Sequence, residues 1–238
     1  MEEALLAWFR TNGRDLPWRR TRDPYAILVS EVMLQQTQVA RVIPRYLAWL
    51  ARWPSVEALA AESPADVIRE WQGLGYNRRA LNLHRAACRI AADGWPEDLT
   101  ELPGVGRYTA NAVARFALDR PVLPIDVNVR RVLDRSEASF GPAAAHALMD
   151  LGATICLARI PRCGECPLAS ACPSRGKRYE PLRKQGRFEG SFRQRRAVAL
   201  NLVSERPRRR SSLDEDAVAA LAADGLVQVR SGLVSLPD

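Results

Sequence analysis

Apolar residues recur at helical spacing through most of residues 1–175, and short breaks containing Gly or Pro separate the helical stretches. The alternating pattern of a half-buried strand is almost absent from this part of the chain. Ser63 directly precedes Pro64 and an apolar helical run, which is typical of a capped helix start. The pattern therefore predicts an all-α fold for the first 175 residues.

The pattern changes in the last quarter of the chain, where a basic and polar stretch interrupts the helical periodicity. We interpret residues 176–187 as a linker. The pattern of residues 188–238 predicts a small folded module. Its predicted elements are a helix around 194–203, a second helix over 214–223, and a hairpin with Ser231 and Gly232 at the turn. Helices closed by a hairpin are typical of a winged helix.

The chain has 238 residues, of which 47% are hydrophobic, and this is ample for a buried core. Its formal net charge is +8. Residues 174–210 alone hold 13 Lys and Arg against three Glu, so this segment carries +10 and the rest of the chain −2. Such a distribution indicates a polyanionic partner, nucleic acid before an anionic membrane.

No run of apolar residues approaches the roughly 18 that a membrane-spanning helix needs. The first ten residues, MEEALLAWFR, are acidic and amphipathic, unlike the basic start of a signal peptide. We therefore expect a cytoplasmic protein that makes no membrane contact.

Four of the five cysteines crowd into 17 residues, at Cys156, Cys163, Cys166 and Cys172. This crowding favours metal ligation over disulfide formation. Four thiolates at this spacing can surround either a zinc ion or an iron–sulfur cluster, and the spacing alone leaves both open. Cys88 stands apart in a helical stretch and is interpreted as a small buried apolar residue.

The segment LPGVGRYTA (102–110) leads into an apolar helix. Gly104 and Gly106 let the backbone turn tightly and expose N–H groups at the start of that helix, an arrangement that binds phosphate. A plain corner between two helices is the alternative interpretation.

Two carboxylates stand in apolar surroundings. Glu31 lies in AILVSEVMLQQTQV, and a buried charge is costly unless it is paired with an arginine or used in catalysis. Asp126 follows the apolar run VLPI and precedes VNVRRVL, so we expect it to cap that helix, a role that is compatible with catalysis.

Several further motifs accompany these features. They are LPWR (16–19), DPY (23–25), SEVMLQQTQV (30–39), GLGY (73–76) and MDLGATIC (149–156). Together with the cysteine spacing and LPGVGRYTA, they resemble the helix-hairpin-helix DNA glycosylases with an iron–sulfur cluster, in particular the MutY-type adenine DNA glycosylases. The resemblance covers nearly all of residues 1–175. It implies a [4Fe–4S] cluster on the four cysteines in preference to zinc, and a hairpin in which Gly104, Gly106 and Arg107 hold DNA.

The resemblance also implies a division into domains. Residues 1–20 and 127–175 form a discontinuous, abbreviated cluster domain, and residues 21–126 form a helical domain that contains the hairpin. The linker at 176–187 and the winged-helix-like module at 188–238 follow. The cluster domain is called abbreviated because only 15 residues separate VNVRRVL from MDLGA, fewer than relatives usually carry.

The resemblance assigns chemistry to four side chains. Glu31 is the acid that protonates the leaving purine, and Asp126 stabilises the positive sugar or attacks it transiently. Tyr108 and Asn128 position them. Relatives that also cleave the strand carry a lysine at the position of Tyr108. The chain is therefore expected to be a monofunctional DNA glycosylase without lyase activity.

The target nucleotide of such an enzyme must flip out of the duplex. The positions that fill the vacated space and probe the opposite base are, by resemblance, Gln36, Thr37, Leu74 and Tyr76. The base pocket is lined by Trp18, Arg19 and His146, the last standing where relatives usually carry Gln or Glu.

The expected partner is double-stranded DNA with a mismatch or an oxidised base, bound by a monomer associated with the nucleoid. The expected target is adenine opposite 8-oxoguanine or guanine. The winged-helix-like tail stands where relatives usually carry a Nudix-like domain that reads 8-oxoguanine. Two alternatives stay open: a thymine or uracil mismatch DNA glycosylase, and a catalytically idle DNA-binding homologue.

Overall fold

A computed structural model describes residues 1–180 and 186–238. The linker predicted at 176–187 lies partly outside these residues. Contacts within the chain define two units, Met1–Ile27 with Gly106–Lys184 and Leu28–Val105 with Gln185–Asp238. Each unit is thus completed by segments that are distant in sequence.

Helices dominate the described residues, as the apolar periodicity predicts. The helices are α1 (Glu2–Asn12), α2 (Pro24–Leu34), α3 (Val39–Arg52), α4 (Val56–Ala60), α5 (Pro64–Glu70), α6 (Arg78–Asp93), α7 (Arg107–Phe116), α8 (Val127–Ser136), α9 (Ala145–Thr154), α10 (Phe192–Glu205) and α11 (Glu215–Ala223). The strands are β1 (Arg208–Arg209), β2 (Gln228–Arg230) and β3 (Leu233–Ser235). Within the described ranges, no helix is both long enough and apolar enough to cross a lipid bilayer.

The first unit is built around α1, α8 and α9. Leu5 of α1, Val129 of α8 and Leu148 of α9 are fully buried in one apolar cluster. Helices α8 and α9 approach closely at Gly152, where an added Cβ would lie 2.9 Å from the Asn128 carbonyl oxygen. This close approach explains why the MDLGA segment has a glycine here.

The second unit has a core rich in tryptophan. The ring of Trp49 packs edge-on against Trp53 and Trp71, with centroids 4.5 and 5.4 Å apart. The predicted helix start at Ser63 is confirmed, since the Ser63 side chain accepts a hydrogen bond from the Asp66 N–H at the start of α5.

The C-terminal tail, which belongs to the second unit, shares a core with the N-terminal helices of that unit. Leu200 of α10 and Val218 of α11 are buried in one cluster with Ile68 of α5 and Leu81 of α6. The tail therefore depends on α5 and α6 for part of its apolar packing.

A three-stranded antiparallel sheet in the order β1-β3-β2 closes the tail. The predicted hairpin is confirmed, because Ser231 and Gly232 have φ of +50° and +75°, the left-handed pair that a type I′ turn requires. The sequence pattern did not predict β1, because two consecutive arginines show no apolar alternation.

The tail is less basic than segment 174–210 suggests. Residues 186–238 contain nine Arg and seven Asp or Glu. Arg195 pairs with Asp214 at 2.9 Å, and Arg210 pairs with Glu215 at 2.7 Å. Part of the basic charge is therefore balanced by acidic residues that follow it in the chain.

Candidate active site and cysteine loop

Asp126 lies at the start of α8 and caps this helix, as predicted. Its Oδ1 accepts hydrogen bonds from the backbone N–H of Asn128 at 2.9 Å and of Val129 at 2.7 Å. Its Oδ2 accepts a hydrogen bond from the Asn128 side-chain amide at 2.8 Å. These donors fix the orientation of a half-buried carboxylate at the positive end of a helix dipole.

Asn128 is in turn held by Arg131, a residue that the sequence pattern did not single out. The Arg131 guanidinium donates to Asn128 Oδ1 and to the carbonyl oxygens of Gly152 and Cys156, each at 2.7 Å. Burial lowers the pKa of Arg131 below its ordinary value. One arginine thus connects the partner of Asp126 to the residue where the cysteine loop begins.

Glu31 lies on α2 and belongs to the second unit. It is only 6% exposed, between the buried residues Ser30 and Val32. The expected burial of this carboxyl group is therefore confirmed. A buried carboxyl group must be hydrogen-bonded, paired or used in catalysis to offset the loss of hydration.

The segment before α7 makes the tight turn expected of a hairpin. Gly104 has a φ of +77°, and an added Cβ there would lie 2.7 Å from the Asn82 Cβ, so backbone conformation and packing both require glycine. Gly106 caps α7 and is exposed, as is Arg107. Tyr108 follows in the first turn and is half-buried. An exposed backbone at a helix N-terminus has the geometry of a phosphate site.

Two loops of the second unit carry the residues predicted to probe DNA. Gln36 is exposed with a φ of +55°, and Tyr76 is 48% exposed with a φ of +47°. The Thr37 Oγ1 lies 3.5 Å from the Leu74 carbonyl oxygen, so the two loops are adjacent. The side chain of Leu74 is buried, with 3% exposure.

The residues predicted to line a base pocket lie in the first unit. Trp18 is buried in a short turn of 3₁₀ helix, and Arg19 forms two hydrogen bonds of 2.9 and 2.7 Å with Asp150. Arg14 binds the same carboxylate at 2.8 Å. Burial alone raises the pKa of Asp150, but the hydrogen bonds from Arg19 and Arg14 outweigh it and hold the pKa below its ordinary value. Asp150 is therefore the anchor that fixes Arg19.

His146 lies one helical turn before Asp150 on α9. Its ring stacks on Phe116 with centroids 4.1 Å apart and lies 6.4 Å from Phe9. Burial, reinforced by the positive charge of Arg19, lowers the pKa of His146 to about 4. Its Nδ1 is buried and has no hydrogen-bond partner among the described residues. The ring is therefore a neutral imidazole at pH 7 with an unsatisfied nitrogen.

The four clustered cysteines line one cavity of the first unit. The other lining residues include Ile155, Pro161 and Ala169. The Gly176 N–H donates to Cys163 Sγ at 3.3 Å, and an Arg135 Nη1 donates to Cys156 Sγ at 3.6 Å. Donors of this kind stabilise thiolate ligands. In residues 1–180 and 186–238, no three metal-binding side chains are grouped tightly enough to hold one ion.

Known proteins share both the sequence and the fold. Residues 29–149, which include Glu31, the hairpin and Asp126, match the HhH-GPD superfamily of base excision DNA repair proteins. An adenine DNA glycosylase of Mycolicibacterium smegmatis is 42% identical, covering 94% of this chain and 91% of that protein. One of Mycobacterium tuberculosis is 41% identical, covering 98% and 92%. The solved structure of a thermostable thymine-DNA glycosylase gives a TM-score of 0.66 at 27% identity, over 72% of this chain and 93% of that one.

The helical fold, the hairpin and the capped aspartate together define a DNA glycosylase of the helix-hairpin-helix class. The chain belongs to the HhH-GPD superfamily of base excision DNA repair proteins, and within it to the MutY-type glycosylases. The alignment with the M. smegmatis protein spans 268 positions, more than the 238 residues of this chain. That relative therefore carries internal residues that this chain lacks.

Proposed function

We propose that this chain is an adenine DNA glycosylase, which hydrolyses the N-glycosidic bond of a mispaired adenine in double-stranded DNA during base excision repair. The observation that carries the proposal is the Asp126 carboxylate, fixed at the start of α8 within the segment that matches the superfamily. Relatives of 41% and 42% identity are named adenine DNA glycosylases, which supports adenine over thymine or uracil.

The proposed mechanism follows from the charges that develop when the bond breaks. The sugar becomes an oxocarbenium-like cation, and the bonding electrons leave with the base. Asp126 stabilises the sugar cation, since among the described residues its Oδ2 accepts one hydrogen bond, from the Asn128 side chain, and an ionised carboxylate oxygen can take more than one. Glu31 donates a proton to the departing adenine. Water then adds to the sugar carbon and loses a proton, which leaves an abasic site.

The residue that follows Arg107 on α7 decides whether the strand is also cut. Strand cleavage by this class of enzyme needs an amine that forms a Schiff base with the sugar. Tyr108 occupies that position and has no amine, so we propose a monofunctional glycosylase. Tyr108 and Asn128 then act as positioning residues for Glu31 and Asp126.

The proposed DNA contacts come from the hairpin and from the two loops of the second unit. The backbone of Gly104 and Gly106, with the exposed Arg107, binds phosphate. The loop residues Gln36, Thr37 and Tyr76 occupy the space that the flipped nucleotide leaves and test for 8-oxoguanine or guanine opposite. Leu74, predicted with them, has a side chain that is only 3% exposed and supports its loop from within. We propose that one protomer suffices and that the protein works at the nucleoid.

The proposed base pocket contains Trp18, Arg19 and His146. A neutral imidazole has one donor and one acceptor nitrogen, so the unsatisfied Nδ1 of His146 supports a polar contact in this region. Arg19 is held by Asp150 and therefore presents a fixed guanidinium rather than a mobile one.

We propose that the cysteine cavity holds a [4Fe–4S] cluster, ligated by Cys156, Cys163, Cys166 and Cys172. The residues fit such a group, because four sulfurs line one cavity and two of them accept hydrogen bonds, Cys163 Sγ from the Gly176 N–H and Cys156 Sγ from Arg135. A bound cluster supplies a structural and redox-capable centre. Purified protein is expected to be brown and to contain iron and acid-labile sulfide in equal amounts. Zinc in place of iron would overturn this assignment.

The function is tested with duplexes that carry adenine, thymine or uracil opposite 8-oxoguanine or guanine. Each duplex is incubated with the purified protein and divided, and one half is heated in alkali before the strands are separated. We expect cleavage of the adenine strand only after alkali. Absence of an alkali-labile product from every duplex contradicts an enzyme, and product from thymine or uracil alone contradicts the adenine assignment. Cleavage without alkali contradicts the monofunctional mechanism.

A further inference from the structure

Arg79, in the first turn of α6, contacts both loops that we propose to probe DNA. The first loop comprises residues 35–37 after α2, and the second comprises residues 74–77 before α6. Arg79 and both loops belong to the second unit. The sequence pattern did not single out Arg79, which stands beside another arginine in GLGYNRRA.

Every nitrogen of the Arg79 guanidinium donates a hydrogen bond. Nη1 donates to the carbonyl oxygens of Val32 at 2.7 Å, Met33 at 3.1 Å and Gln35 at 2.6 Å. Nη2 donates to Thr37 Oγ1 at 3.1 Å and to the carbonyl oxygens of Leu74 at 3.3 Å and Gly75 at 2.9 Å, while Nε donates to that of Tyr76 at 3.3 Å. Nη1 thus contacts the end of α2 and the first loop, Nη2 contacts both loops, and Nε contacts the second loop.

The position of Arg79 is costly for a cation, which argues against a merely incidental contact. Burial lowers the pKa of Arg79 to about 10, and the start of α6 is the positive end of a helix dipole. The compensation comes from the last carbonyl groups of α2, which a helix leaves unpaired and which favour a positive charge. The rings of Trp71 and Tyr76 lie 5.3 and 5.7 Å from the guanidinium and add cation–π contact.

The contacts of Arg79 surround the two strained residues of the loops. Gln36 and Tyr76 both have positive φ, a backbone conformation that persists only where the surroundings enforce it. Arg79 binds Gln35 and Thr37 on either side of Gln36, and it binds the carbonyl oxygen of Tyr76 itself. The same guanidinium therefore holds both strained turns.

We propose that Arg79 is a positioning residue that couples the two loops, so that Gln36 and Tyr76 meet the DNA as one surface. Arg79 acts through the loops and not on the reacting atoms. The role rests on the proposed function, but the coupling itself is a property of the protein without DNA. The coupling of the loops and its consequence for excision are therefore tested separately.

The coupling is tested by amide hydrogen exchange of the full chain without DNA. Arg79→Lys keeps the charge but has a single nitrogen, which cannot reach both loops. We expect exchange to become at least about tenfold faster in peptides covering both loops, and unchanged in α8 and α10. Arg78→Lys is the matched control, because Arg78 is exposed and pairs only distantly with Asp224 at 3.6 Å. Faster exchange in only one loop, in neither, or uniformly across the second unit overturns the proposal.

The consequence for function is tested by separating the rate of excision from DNA affinity. With enzyme in excess over the adenine-containing duplex, Arg79→Lys is expected to be slower by about tenfold or more, since a misplacement of about 1 Å can cost up to about 100-fold. Affinity for undamaged duplex, in which no nucleotide is flipped out, is expected to stay unchanged, because the phosphate contacts proposed for the hairpin do not involve Arg79. An unchanged rate, or an equal loss of rate and affinity, overturns the positioning role. If the wild-type protein excises nothing, the proposed function fails while the exchange experiment still decides the coupling.

Discussion

Asp126 and Arg79 bind opposite ends of two different helices, and both are held by backbone groups that those helix ends leave open. Asp126 accepts N–H groups at the start of α8, whereas Arg79 donates to carbonyl groups at the end of α2. Each charge has the sign that the dipole of the bound helix end favours, which is the start of α8 for Asp126 and the end of α2 for Arg79. The difference lies in their partners, which are two and three residues away for Asp126 and up to 47 away for Arg79.

This difference in partners gives the two residues different roles: Asp126 acts in the reaction, and Arg79 fixes the conformation of the loops. A carboxylate bound by its own helix takes its position whenever that helix forms. A guanidinium bound by distant carbonyl groups takes its position only when the second unit has folded, and it then fixes the segments it contacts. Substitution at Asp126 is therefore expected to change the reaction, and substitution at Arg79 to change the loops.

The largest effect is expected for Asp126→Asn. Asparagine caps helices about as well as aspartate, so α8 and the melting temperature are expected to be retained. The negative charge that stabilises the sugar cation is lost, and the single-turnover rate of adenine excision is expected to fall by at least about 100-fold. Rates at saturating enzyme and thermal melting measure the two quantities. Full activity of Asp126→Asn, or a loss of activity accompanied by unfolding, would contradict the catalytic role that distinguishes Asp126 from Arg79.

A smaller effect is expected for Gly152→Ala, because Gly152 lies where α9 packs closely against Asn128, the residue that binds Asp126. The Cβ of Gly152→Ala would meet the Asn128 carbonyl oxygen at 2.9 Å, so α8 and α9 must separate. Overpacking of this kind costs about 1 to 3 kcal/mol in the free energy of unfolding, which denaturant titration measures. Ala153→Ser, on the exposed side of the same helix, is the control. Equal stability of both variants would show that α9 does not constrain Asn128.

The pH dependence of stability gives an effect similar in size to that of Gly152→Ala, and it involves neither Asp126 nor Arg79. His146 has a pKa of about 4 in the folded chain against an ordinary 6.5, because of burial and then Arg19. Between these two pKa values the unfolded chain binds a proton at His146 and the folded chain does not. The free energy of unfolding is therefore unaffected by His146 above pH 6.5 and decreases as the pH falls towards 4. When the pH is lowered from 7.5 to 5, the free energy of unfolding of His146→Gln is expected to decrease by about 2 kcal/mol less than that of the wild type.

The His146 comparison is made by denaturant titration across this pH range. Some pH dependence is expected to remain in the variant, because burial also lowers the pKa of His84. Identical slopes for the wild type and His146→Gln would contradict the buried neutral state of His146.

Features with local signals could be predicted from the sequence. Asp126 before an apolar helix, Ser63 before Pro64, and Ser231 before Gly232 each combine a cap or turn residue with the periodicity of the adjoining element. Their partners lie within a few residues, so the pattern contains the whole interaction. The hairpin glycine Gly104 belongs to the same class, since Gly-Val-Gly directly before an apolar helix predicts a tight turn, and Gly104 has the positive φ of such a turn.

Features that depend on distant partners could not be predicted. Arg79 and Arg131 bind carbonyl groups, which every residue carries, so no side-chain pattern marks their partners. The basic segment 174–210 misled in the other direction, because Asp214 and Glu215 beyond its end pair with its arginines. The charge of a sequence window therefore overstates the charge that the folded tail presents.

The proposed reaction is the release of adenine from DNA with the help of the fixed Asp126 carboxylate. The direct measurement is the mass of the base released during one turnover on a duplex with adenine opposite 8-oxoguanine. We expect free adenine in amounts equal to the duplex consumed, with the strand intact until alkali is added. Release of a different base from the matched duplexes, or no released base at all, would contradict it.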